Sequence, residues 1–173
     1  ELGLDCAAGR PSMRAGSRPF VLMLQEAWRR GSLPRVEAGS NVPWTIDPDR
    51  DALESPDVVE AARQCGLALV YVPSARNGPD TDSRPQEDMG TAILSSLPLS
   101  APIALDLPLE GGRKVAVAAT AYAPGGERVR FATVHLDVTS TLARVVFSGN
   151  QTRARQAAGL IDGLDKAERD GPL

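Results

Sequence analysis

A single histidine, His135, limits the chemistry open to this chain of 173 residues. One imidazole allows no HExxH pair on a helix and no zinc site built on two histidines. Neither the GxSxG elbow nor the phosphate-cradling GxxxxGK[ST] and GxGxxG loops occur. A serine outside that elbow could still pair with His135, because triads are defined by geometry. The other candidates are polar residues placed where apolar runs end. Glu26 directly follows FVLML, Arg113 precedes KVAVAATAY, and His135 and Asp137 close VRFATVHLD. Side chains at strand ends can project into one shared cleft. Singly, each has a plainer reading: a solvated strand end, a structural histidine, a hairpin arginine.

These residues need strands to position them. The run 20–24 is apolar throughout and is predicted to be a strand buried on both faces. Residues 29–53 carry no periodicity and are predicted to form a long loop, in which Trp44 pins the chain or lines a cleft. Ser55-Pro56-Asp57 reads as a helix start, with serine as cap, proline in the first turn and Asp57 facing the positive dipole end. Val58, Val59, Ala62 and Cys65 supply the apolar face of that helix, and Gly66 stops it. Strands are predicted at 67–72, 91–95, 103–107, 114–122 and 128–136, with polar loops at 73–88 and 138–150. In the last strand Val129, Phe131, Thr133 and His135 share a face, since alternate residues do. Ala154, Ala157, Ala158, Ile161 and Leu164 recur at helical spacing and predict a closing helix. Six strands and two helices in the order βαβββββα are not alternating βαβ units. They favour sheets packed face to face with helices outside.

Composition bounds the partners. Apolar residues make up 42% and charged residues 24%, enough for a core and too apolar for a fully disordered chain. A net charge of −3 does not attract long duplex nucleic acid or an anionic membrane in bulk, so any phosphate must be met locally. No strong basic patch is visible, and only Lys114 and Lys166 accompany the arginines. The apolar stretches fall short of the roughly 18 residues that a membrane span requires. Cys6 and Cys65 form no CxxC and leave a single disulfide open. No signal-peptide pattern opens the chain, which leaves its compartment undetermined, and a soluble monomer is expected.

The order of the pieces adds a resemblance. Leu24-Gln25-Glu26 after an apolar strand resembles the LQE motif of the endonuclease/exonuclease/phosphatase superfamily, the deoxyribonuclease-like metal-dependent phosphodiesterases. Asp88-Met89-Gly90-Thr91-Ala92-Ile93-Leu94-Ser95 is similar to its (D/E)xGxAILS stretch. Thr133-Val134-His135-Leu136-Asp137 resembles its THLD motif with one extra valine, and Arg153-Ala154-Arg155-Gln156 its RxxQ helix. The resemblance covers residues 20–164 and implies an α/β fold, a four-layer αββα sandwich of the deoxyribonuclease-like type. It implies Glu26 as ligand of Mg²⁺ (or Mn²⁺), a hard cation that takes oxygen donors. It implies His135 beside the scissile phosphate, Arg113 on a phosphate oxygen and Asp137 as a brace, with Glu87 or Asp88 as a carboxylate partner for His135. The implied reaction is in-line attack of water on a phosphate ester whose class the sequence does not name.

The family's opening strand ending in Asn, its GDFN motif and its SDH motif have no counterpart in this chain. The chain is therefore expected to be a partial domain over 1–173, poorly ordered in 1–19 and inactive alone. The alternative is a non-catalytic binding or scaffold domain on the same fold. A third reading is an unrelated hydrolase using a serine and His135.

Overall fold

A computed structural model describes residues 18–30, 44–46, 57–77, 87–109, 113–136 and 149–170. Residues 1–17, Cys6, Ser55, Pro56, Asp137 and positions 138–148 of the loop expected at 138–150 lie outside the described residues, and positions 149–150 of that loop begin a helix instead. Among the described residues the architecture is mixed α/β, with two antiparallel sheets and two helices. The first sheet holds β1 (Val21–Arg30), β2 (Trp44–Ile46), β3 (Ala68–Asn77) and β4 (Glu87–Ser95) in the order β1-β4-β3-β2. The second holds β5 (Leu99–Asp106), β6 (Val115–Tyr122) and β7 (Arg128–Val134) in sequence order. The helices are α1 (Val58–Cys65) and α2 (Gly149–Asp170).

Side-chain alternation explains where the core lies. Leu69, Tyr71, Ala92 and Leu94 put one face of the first sheet against Val59 and Ala62 of α1. The intervening Val70, Val72 and Ile93 meet Val115, Val117 and Ala119 of β6 on the opposite face. The two sheets therefore face each other, as the strand order predicts. On the far side of the second sheet, α2 comes close enough that a Cβ on Gly163 would meet Leu105, and one on Gly159 would meet Pro108. Gln156, fully buried, donates from Nε2 to the Pro108 carbonyl at 3.5 Å.

Several boundaries differ from the pattern-based expectation for one shared reason. β1 runs on through polar residues to Arg30, because its backbone pairs with β4 out to Glu87 whatever the side chains are. The stretch 29–53 is accordingly not all loop. It contains β2, whose Trp44 pairs with Tyr71. Likewise β3 and β4 extend into the expected 73–88 loop, with Asn77 opposite Glu87. Continuing those ladders places a charged pair inside: Arg29 and Asp88, directly opposite across β1 and β4, form a buried salt bridge. The Arg29 guanidinium also lies over the Tyr71 ring, 5.5 Å from its centroid.

The cap of α1 is Asp57, not Ser55. Its side chain accepts from the backbone N–H of Val59 at 2.8 Å and of Glu60 at 3.0 Å, satisfying two orphan donors of the first turn. Gly66 ends the helix as expected, in the left-handed region at φ 57°. Cys65, at the helix end, is in a disulfide. No described helix is long and apolar enough to cross a membrane.

Glu60 gives α1 a pH signature. Hydrogen bonds from Arg63, one of them Nε to Oε2 at 2.8 Å, hold its carboxyl below the ordinary range, with Gln64 assisting and burial opposing. A lowered carboxylate stabilises the fold above the unfolded-state pKa of about 4.3 and stops doing so as pH falls through the folded value. Glu60→Gln is expected to lose roughly 0.5–1 kcal/mol at pH 7. Urea titrations at pH 7 and pH 3 check this: the gap to wild type should narrow as pH falls, and a pH-independent gap would refute it.

Candidate functional site

The site begins with an irregularity in β1. Its pairing with β4 runs from Leu24↔Ala92 to Ala27↔Gly90, so three steps on β1 match two on β4. This is a β-bulge, which bends a strand and re-aims its side chains. Within it Glu26 adopts φ 52°, the left-handed region that costs a non-glycine residue energy. Neighbouring Gln25 donates from Nε2 to the Val134 carbonyl at 2.7 Å. That bond ties the bulge to the end of β7, where His135 follows. Glu26 Oε1 consequently lies 3.6 Å from His135 Nδ1, beyond hydrogen-bond length and within electrostatic reach.

A second bulge faces the first across β4. The β3–β4 register shifts between Pro73 and Ala75, and Ser74 Oγ donates to the Met89 carbonyl at 2.9 Å. Gly90, paired with both Ala27 and Pro73, is the residue of β4 between the two irregular strands. Its absent side chain matters, because a Cβ there would lie 2.0 Å from the Val72 carbonyl oxygen.

Across the inter-sheet seam, Arg113 enters from the approach to β6. Its Nη1 donates to the Pro73 carbonyl and its Nη2 lies 3.0 Å from Asp106 Oδ1. Glu26, Arg113 and His135 thus line a single cleft of about 250 Å³, together with Ser74, Met89, Gly90, Thr91, Lys114 and Val115. The three meet from different places on their strands: Glu26 at the bulge inside β1 rather than at the strand end the sequence predicts, Arg113 just before β6 and His135 just after β7. A second cleft of about 300 Å³, lined by Leu22, Leu24, Trp28 and Val58 among others, is almost wholly apolar and contains none of the candidate residues.

The carboxylate beside His135 is Glu26. Asp88 is not that partner, because it is buried against Arg29. Glu87 pairs along the backbone with Arg30 and Asn77. Asp137 lies outside the described residues. Gln156 of the RxxQ segment is at the α2 interface rather than in the cleft.

Three cleft residues escaped the sequence reading. Ser74 sits in a stretch whose polar composition predicts a loop, and Lys114 in one whose pattern predicts only a strand start. Thr91 could have been found, since it alternates with the inward Ile93. Its hydroxyl is buried and finds no hydrogen-bond partner among the described residues.

Glu26 fits a divalent ion of the Mg²⁺ kind in its donor chemistry. Its carboxylate is 60% exposed and borders the cleft. Such an ion commonly takes one or two carboxylates and completes its shell with water and substrate phosphate. Among the described residues no three His, Cys, Asp or Glu side chains gather into a larger ligand set. No protein-family model, curated protein or solved structure matches the chain.

Proposed function

We propose that this chain carries the cleft of a metal-dependent phosphoesterase of the endonuclease/exonuclease/phosphatase type, with the two facing sheets and two helices as the layers of an αββα sandwich. The observation that supports it is the convergence of Glu26, Arg113 and His135 on one cleft, with the carboxylate 3.6 Å from the imidazole. Each group suits the reaction. The Glu26 carboxylate would hold Mg²⁺ or Mn²⁺, which supplies neutralisation of charge on the phosphoryl oxygens. His135 turns Nδ1 toward the Glu26 carboxylate at 3.6 Å. That leaves Nε2 to take a proton from an attacking water when neutral, or to donate one to a phosphoryl oxygen when charged. The Arg113 guanidinium fork matches two phosphate oxygens.

One observation favours a second reading. Ser74 lines the same cleft as the Glu26–His135 pair, which are the residue types of a serine hydrolase. Against it, the Ser74 hydroxyl donates to the Met89 carbonyl. A single experiment separates the readings: hydrolysis of bis(p-nitrophenyl) phosphate by the full-length protein, rather than by this chain alone, with Mg²⁺, then with EDTA. Activity abolished by EDTA and restored by Mg²⁺ or Mn²⁺ is expected. Activity that survives EDTA supports the serine reading, and no turnover with any added metal leaves a non-catalytic binding domain.

A further inference from the structure

Arg113 is held from two directions, and neither anchor, Pro73 nor Asp106, is among the residues that line the cleft. Asp106 pairs directly with Val115 across the β5–β6 ladder. Arg113, two residues before Val115, is therefore its diagonal neighbour on the same face of the hairpin. That face also carries Ala104 and Val115, which pack toward the first sheet. The ion pair spans 3.0 Å, with Asp106 36% and Arg113 26% exposed. The other anchor, the Pro73 carbonyl, belongs to β3 of the opposite sheet. A guanidinium has five N–H donors in a rigid plane, so two fixed contacts leave three donors with a set direction.

We propose that Asp106 is a positioning residue for anion binding. Its carboxylate and the Pro73 carbonyl lock the Arg113 plane, so that the remaining donors meet a phosphate oxygen without first being ordered. This rests on the phosphoesterase reading, in which Arg113 contacts the phosphate. Asp106 itself touches no substrate, and it is not among the residues that line the cleft. The benefit is preorganisation: a free arginine loses rotamer freedom on binding, and a held one has already lost it.

The test is a double-mutant cycle in the intact protein, using bis(p-nitrophenyl) phosphate with Mg²⁺ and, separately, calorimetric titration with inorganic phosphate. Asp106→Ala should raise KM about tenfold while kcat changes less than about threefold, the pattern of lost ground-state binding. Asp106→Asn should recover part of the loss, because an amide oxygen at the same place can accept from Arg113 Nη2 although the charge is gone. In an Arg113→Ala background, Asp106→Ala should add nothing, since two residues acting through one contact are not additive. An equal loss in both backgrounds would mean that Asp106 only supports the fold, and a fall in KM would mean that it competes with substrate for Arg113. Either result overturns the proposal. If the wild type turns over no phosphodiester, the phosphoesterase reading fails by itself and the phosphate titration decides. Binding weakened non-additively by the same variants upholds the Asp106 role, and no phosphate binding by the wild type removes it.

Discussion

Glu26→Gly is expected to fold more tightly than wild type and, under the proposed phosphoesterase function, to lose activity by about 10²–10³-fold, the scale of removing one preorganised charge-stabilising group. The two effects have separate causes. At φ 52° a glutamate side chain meets the backbone strain of the left-handed region, and glycine adopts that conformation without a Cβ penalty. The strain relieved is about 1 kcal/mol, visible as a higher urea midpoint with an unchanged slope. The same substitution removes the carboxylate that faces His135 Nδ1 and borders the cleft. Strain retained at a functional group, against a stabilising alternative, is the pattern expected where side-chain placement matters more than stability. Glu26→Ala is the control, losing activity without gaining stability. Near-normal hydrolysis in both variants, or a Glu26→Gly protein less stable than wild type, would overturn the assignment.

Gly90→Ala is expected to destabilise the protein by about 3 kcal/mol or more, a large effect for a single methyl group. The Cβ would sit 2.0 Å from the Val72 carbonyl oxygen and 2.8 Å from Pro73 Cα. Both are backbone atoms of β3, so no side chain can swing away to make room. Relief requires moving β3 from β4, which breaks ladder hydrogen bonds beside two bulges. Because Glu26 lies in one bulge and Ser74 next to the other, the displacement should also disturb the cleft. Chemical denaturation measures the first effect. A Gly90→Ala variant within 1 kcal/mol of wild type would show that the strands part more easily than this packing allows.

Where the sequence reading succeeded, the signal was local or periodic. The apolar runs of β1, β3, β4 and β6, the Gly66 stop and the alternation of Phe131 and His135 in and beyond β7 need only covalent geometry and side-chain polarity. It failed where backbone pairing overrode composition. Arg29, Arg30, Glu87 and Asp88 read as loop residues, yet their backbones continue the β1–β4 ladder. Burial of Arg29 and Asp88 then follows from their mutual pairing, a relation between positions 59 residues apart. Asp57 replaced Ser55 as cap because several residue types can cap, and only the start of the helical turn decides which does.

The same division holds for the site. Residue type and predicted strand ends name Glu26, Arg113 and His135 as candidates, each with a plainer reading beside it, and alternation puts His135 on one face with Val129, Phe131 and Thr133. Only the tertiary structure decided that the three share a cleft, that Glu26 rather than Asp88 stands beside the imidazole, and that Arg113 is held by Asp106 and Pro73. The physical reason is range. Periodicity and turn chemistry act over a few residues and are written into the chain. A bulge that turns one carboxylate, or a glycine that lets two backbones approach, takes effect only through strands that another part of the chain supplies.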